Sequence, residues 1–262
     1  MRAIVNDVPV GLLAAVVVGL IVGAVVLAVW LIRRHVPATR EGFDAEVSSQ
    51  MLGVVASLFG LLLAFVVVIA YQSVGDAQNN VAVEANALAA IVRDTRVLPA
   101  AQADQVARAV GVYTRAVVLD EWPRMRTGTD SRQAFVAIGG IYRALQGIEP
   151  RSARTRVFYD DAVRQLSAAL DARRNRLATR DGGLSPLLAA LILVGALVIL
   201  GYATLVGSRS TSFHLAGVCS IALVVGFALV VLLALSYPFS GSLAIDSEPF
   251  RSGVLAGFFG GA

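Results

Sequence analysis

Apolar positions dominate four stretches of this chain, and polar positions return with helical spacing between the second and the third. Val8 to Ile32 is an almost unbroken apolar run without charge. At 1.5 Å rise per residue it exceeds a hydrocarbon core of about 30 Å, so the pattern predicts a transmembrane helix. A secretory signal peptide fits it poorly, because the apolar core is too long and only Arg2 precedes it. Leu52 to Tyr71 is the second such run, Leu184 to Val206 the third and Phe213 to Leu235 the fourth. Gly182-Gly183 breaks the helix before the third span, and the polar turn Gly207 to Ser212 joins the last two.

Beyond Tyr71 the pattern turns amphipathic with no proline before Pro99. Val74, Ala77, Val81, Glu84, Leu88, Ile91, Thr95 and Leu98 alternate by threes and fours, the spacing of a helix-packing seam. One long helix, or two nearly coaxial ones, is therefore expected from Met51 to Leu98, crossing the bilayer and continuing outside it. A second amphipathic helix, about Ala101 to Glu121, presents Val106, Val110, Tyr113 and Val117, and is expected to stop at Asp120-Glu121-Trp122-Pro123. Asp130 or Ser131 can cap a third helix carrying Phe135, Ile138, Ile141, Tyr142, Leu145 and Ile148. Ser152 can cap a fourth, with Val163, Leu166 and Leu170 inward and a surface dense in Arg154, Arg156, Arg164, Arg173, Arg174, Arg176 and Arg180.

The fold class expected is all-α: a polytopic membrane protein with two pairs of spans flanking an extramembrane helical domain continuous with the second span. The boundaries are 1–71 for the first pair, 72–181 for a four-helix domain, 184–235 for the second pair and 236–262 for a tail. Arg33 to Gln50, with Pro37, reads as a solvated connector. In the tail, Pro238 and Gly241 dictate a turn, while Phe239, Ile245 and Phe250 must bury on the domain or at the membrane interface.

Composition agrees with a membrane class: 57% hydrophobic, 15% charged, mean hydropathy +0.73. All positive charge is arginine, for a net +4. With one cysteine, Cys219, and two histidines, His35 and His214, placed outside the hydrophobic cores, neither a disulfide nor a Cys/His metal site is expected. No Gly-rich phosphate loop, nucleophile–base set or intramembrane carboxylate is present, so no enzymatic activity, cofactor or proton-coupled transport is expected. The arginine-rich helix lacks the motifs of a nucleic-acid binder; lipid headgroups, anions or a solvated face paired with Asp160, Asp161 and Asp171 suit it better.

Two clusters are candidate functional positions. Gly53, Ser57, Gly60 and Ala64 form a small-residue face on the second span, suited to close packing or to a narrow pore. Glu84 interrupts the apolar seam, with Asn86 beside it. It either bonds an arginine or neighbouring helix, or sits at a vestibule or subunit junction, since a carboxylate there has to be paired or wet. The first span's stripe Gly11, Ala15, Gly19, Gly23 and the pair Ala222 and Gly226 are spaced for close helix approach.

LFGLLLAF (58–65), EANAL (84–88), Tyr113 with LDEWP (119–123) and PFSG (238–241), in this order, resemble a bacterial bestrophin-like family of four-span membrane proteins. In that family an aspartate commonly stands two residues before PFSG, whereas here Ser236 and Tyr237 precede it. The resemblance implies structural importance for Tyr113, Glu121, Trp122, Pro123, Pro238, Phe239 and Gly241. It also implies a homo-oligomeric channel with anion preference in the bacterial inner membrane, taking a small anion and surrounded by lipid, with no nucleic acid. The alternative is a non-conducting, membrane-anchored interaction or signalling module. Arginine placement around the spans is nearly balanced, and the resemblance favours a cytoplasmic helical domain.

Overall fold

The computed structural model describes residues 8–35, 45–180, 185–206, 210–241 and 244–260, and among these every regular element is helical. The helices are α1 (Val10–His35), α2 (Ala45–Asp94), α3 (Ala100–Ala116), α4 (Trp122–Thr127), α5 (Arg132–Gln146), α6 (Ala153–Arg180), α7 (Pro186–Leu205) and α8 (Thr211–Leu235). Thr95–Val97, Glu248–Arg251 and Gly253–Phe258 are 3₁₀ turns, and Val117–Glu121 is a π turn. Much of the expected connector, Gly182-Gly183 and part of the 207–212 turn lie outside the described residues.

The chain divides into two compact units, one from residues 7–72 with 182–236 and the other from 73–181 with 237–262. The first is the membrane unit. Four of its helices are long and apolar enough to cross a bilayer, so the protein is integral to a membrane. Small residues permit close approach at two crossings. A methyl group on Gly226 would lie 3.2 Å from Val18 Cγ2, beside fully buried Ala222. A methyl group on Gly195 would lie 2.6 Å from Phe59 Cε2, so the ring rests on bare backbone. Elsewhere in this unit Arg33 Nη1 donates to Thr211 Oγ1 at 2.6 Å. His214, expected outside the core, is buried in the first turn of α8, one turn from the Thr211 contact.

The second unit is the extramembrane helical domain. α2 supplies its first wall as an uninterrupted 50-residue helix, because nothing between Ala45 and Asp94 breaks the hydrogen-bond ladder. The seam buries as spaced, with Ala77, Val81, Glu84, Leu88, Ile91, Thr95 and Leu98 all inside. Ser131 caps α5 by accepting from Ala134 N at 2.9 Å. Ser152 and Thr155 cap α6 reciprocally. Ile138, Ile141, Leu145 and Ile148 face inward, whereas Phe135 and Tyr142 are exposed.

Three expectations are corrected here. The second helix does not stop before Pro123. It widens into the π turn, where Trp122 N–H reaches the Val117 carbonyl, and continues helically to Gly128, whose φ of 79° ends it. A π turn absorbs the donor that proline lacks and advances the following residues by one position. Val163 is exposed, not inward. Arg173, Arg176 and Arg180 are buried, not surface arginines.

The tail belongs to this domain. Phe239, Phe250 and Leu255 are buried in the same core as the seam residues, with Ile245 packed against it. Gly241, at φ 77°, makes the turn that its type allows.

Candidate functional site

Glu84 sits in the middle of the α2 seam, with no solvent exposure. A carboxylate so placed needs several donors to offset its lost hydration. Two side chains supply them. Tyr113 Oη of α3 donates to Glu84 Oε1 at 2.6 Å. Arg176 of α6 donates from Nε to Oε2 at 2.8 Å and from Nη2 to Oε1 at 3.1 Å.

Arg176, also fully buried, reaches further than this one partner. Its Nη2 bonds Glu121 Oε1 at 2.7 Å, and its Nη1 points to Met125 Sδ at 2.8 Å. Arg173, one turn earlier on α6, holds the other oxygen of Glu121 through Nη2 at 2.5 Å. The cluster thus pairs two carboxylates with two guanidiniums and cancels its formal charge inside the core. Its polar groups come from α2, α3, the π turn, α4 and α6.

Aromatic rings close it. The Arg176 guanidinium carbon lies 5.2 Å from the Trp122 ring centre and 5.9 Å from that of Phe250. Trp122 in turn meets Phe239 and Phe250 edge-on, at 5.8 and 5.7 Å between centres, and donates its indole N–H to the Ile245 carbonyl at 3.2 Å. The tail therefore forms the lid of the charge cluster. Pro238 is buried and its carbonyl accepts from Ile245 N at 2.8 Å, fixing the turn that delivers Phe239.

The charge states are locked. Burial pushes the Tyr113 phenol well above its ordinary range, and the neighbouring Glu84 charge pushes it the same way, so it remains a donor. Burial works against the Arg176 cation, but Glu84 and Glu121 more than compensate and hold it charged. Arg173 is likewise held charged against burial, by Glu121. Such a cluster fixes helices in register.

Sequence reasoning names Glu84, Tyr113, Glu121, Trp122, Pro123, Pro238, Phe239 and Gly241 separately. Apart from Pro123, which is exposed on α4, and Gly241, which makes the turn after Phe239, these residues meet in or directly over the cluster. Asn86 is exposed on α2. Gly53, Ser57, Gly60 and Ala64 are exposed too, away from the cluster on the span of α2. A methyl group built on Gly53 or Gly60 meets no atom of the described residues within 4 Å, so there is open space beside both glycines. The face of the span that the chain itself covers runs through Phe59, Val66 and Ala70.

Sequence reasoning misses Arg176 as a centre. The signal is present: Ala162, Leu166, Ala169, Arg173, Arg176 and Arg180 follow the same 4-3-4-3-4 spacing and are all buried. The seam of α6 changes from apolar to arginine without changing face.

Glu84, Tyr113, Glu121, Trp122 and Phe239, drawn from four of the motif segments, thus converge on one interior feature, while LFGLLLAF lies on the second span. A bestrophin-like domain matches residues 10–250 of the chain. The protein belongs to the bestrophin-like family. That match spans all four membrane helices, the helical domain and the part of the tail that includes Phe239 and Phe250. No curated protein matches the chain, and no solved structure does. In this bestrophin-like chain Ser236 caps α8 by donating to the Leu232 carbonyl at 2.7 Å, the place where an aspartate is expected of the family.

Proposed function

We propose that this bestrophin-like protein is a homo-oligomeric ion channel with anion preference, held in the cell membrane with its helical domain on the cytoplasmic side. The observation that carries the reading is the small-residue face of the second span. Gly53, Ser57, Gly60 and Ala64 are left uncovered by the chain's own helices, on a membrane segment without an ionisable group. In an oligomer, neighbouring copies of that face enclose a narrow, uncharged constriction, of the kind that gates by dewetting. The same helix runs unbroken into the domain, where Glu84 and Arg176 lock it, so the constriction is built on a rigid element. Asn86 is exposed on that helix, which supports a role for it at a vestibule or neighbouring subunit, while Glu84 positions the helix from inside. The arginine excess suits a small anion as the permeant species. The reading needs no catalytic residue and no cofactor.

The test is chloride release from liposomes containing the purified protein, with a parallel potassium assay and protein-free controls. Selective chloride release, increased by Gly60→Asn or Ala64→Ser, is the expected result. Absence of chloride release from folded, oligomeric protein contradicts it and favours a membrane-anchored interaction module.

A further inference from the structure

Asp94 is the last residue of α2, at the far end of the helix whose other half crosses the membrane. Its position is unfavourable for a negative charge in three independent ways. It stands at a helix C-terminus, where the aligned peptide dipoles present negative potential. Its Oδ2 is buried and has no hydrogen-bond partner among the described residues. Its carboxyl lies within hydrogen-bonding reach of a second carboxyl, Asp161 on α6. Nor does the side chain cap the 3₁₀ turn that follows.

Two carboxyl groups in contact need a proton between them. The charged groups around them decide which one keeps it. Asp161 is paired with Arg164 Nη2 at 2.8 Å, so it is the one held ionised. Asp94 feels Arg93 from its own last turn and Arg164 from α6. With the proton on Asp94, its hydroxyl donates to Asp161 and the unpartnered Oδ2 becomes a neutral carbonyl oxygen, which is far less costly to bury.

We propose that Asp94 and Asp161 form a proton-closed clamp between the end of the long helix α2 and α6, shut when one proton is shared and loosened when both groups ionise. Directions of titration agree with this assignment. Burial, then Asp161, raises Asp94 above the ordinary aspartate range, while Arg164 and the contact with Asp94 lower Asp161. An acid raised in the folded state contributes stability at low pH and loses it as pH rises through its folded value. Asp161, lowered, contributes in the opposite sense, present above the ordinary range and lost as pH falls below it. The clamp is therefore strongest in a window just above the ordinary aspartate value of about 3.9 and weakens toward neutrality. Acidification on the domain's side of the membrane tightens the far end of the helix that forms the second span.

The experiment uses the full-length protein in lipid nanodiscs and does not depend on conduction. Thermal midpoints are measured from pH 7 down to about 4, through the range just above the ordinary aspartate value, for the native protein, Asp94→Asn and Asp161→Asn. In parallel, infrared difference spectra follow the protonated-carboxyl C=O band. In Asp94→Asn the introduced amide donates to Asp161 at every pH, so the expected result is a midpoint that rises on acidification in the native protein and a smaller rise in that variant. The acid-induced band should lose the component that titrates above the ordinary aspartate range. Should Asp94→Asn fail to fold, Asp161→Asn keeps Asp94 and removes its charged neighbour, and the band should titrate at a different pH. A pH slope and band unchanged by both substitutions would overturn the clamp.

Discussion

Glu84 and Arg176, 92 residues apart, face each other in the domain core through two hydrogen bonds of 2.8 and 3.1 Å, and neither side chain touches solvent. This pair fixes α6 against the continuous helix that starts in the membrane. Because Arg176 also holds Glu121, its removal takes a cation from two buried carboxylates at once, leaving Glu84 to Tyr113 and Glu121 to Arg173. Arg176→Met should cost about 3–5 kcal/mol, the range for breaking a buried ion pair from one side. Arg176→Lys should recover little, since an ammonium cannot reproduce the forked contacts. Chemical denaturation of the full-length protein measures both. A cost below about 1 kcal/mol, the size of an exposed pair, would show that the contact is not a buried lock.

Tyr113→Phe removes one donor from Glu84 while keeping the ring. The expected loss is about 1–3 kcal/mol at neutral pH, as one buried charge-assisted bond disappears. The phenol also predicts an alkaline limit. Its folded value is raised, so its stability contribution is complete below the unfolded value of about 10 and is lost as pH climbs above it. Tyr113→Phe should flatten that alkaline decline in the thermal midpoint. An identical decline in both proteins would place its cause elsewhere.

How much of this is legible in the sequence depends on whether one helix or several carry the information. The spans, the unbroken rod and the Ser131 and Ser152 caps follow from local pattern, and all appear where spacing puts them. Glu84 is visible as a polar residue on an apolar seam. Its partner is not, because arginines near a span read equally well as solvated or lipid-facing charge. Only the phase of Arg173, Arg176 and Arg180 on the Ala162–Leu166–Ala169 seam separates those cases. Pro123 misleads for a related reason: proline signals a break in an α-helix, and a π turn absorbs it instead.

Phe250→Ala tests the tail's place in the core. The side chain has no exposure and covers both Trp122 and Arg176. Truncating it should cost about 3–5 kcal/mol. It should also make residues after Tyr237 the first site of limited proteolysis. Equal protease resistance in native and Phe250→Ala protein would mean that the tail is held by other contacts.

Glycines in the spans divide into two kinds. Gly195→Ala drives a methyl group into the Phe59 ring and should lower stability by about 1–3 kcal/mol through overpacking. Gly60→Ala meets nothing in its own chain. Its expected effect is on assembly, read as a changed mass in detergent by light scattering, with the fold of each chain intact. Loss of folded protein in Gly60→Ala without a change in assembly would assign that face to packing within the chain.

The most direct measurement of the functional account is the reversal potential of currents through the purified protein in a planar bilayer under a potassium chloride gradient. Currents should reverse near the chloride equilibrium potential and change on substitution at Gly60 or Ala64. Reversal near the potassium equilibrium potential would contradict the anion preference, and silent membranes containing assembled protein would contradict the channel itself.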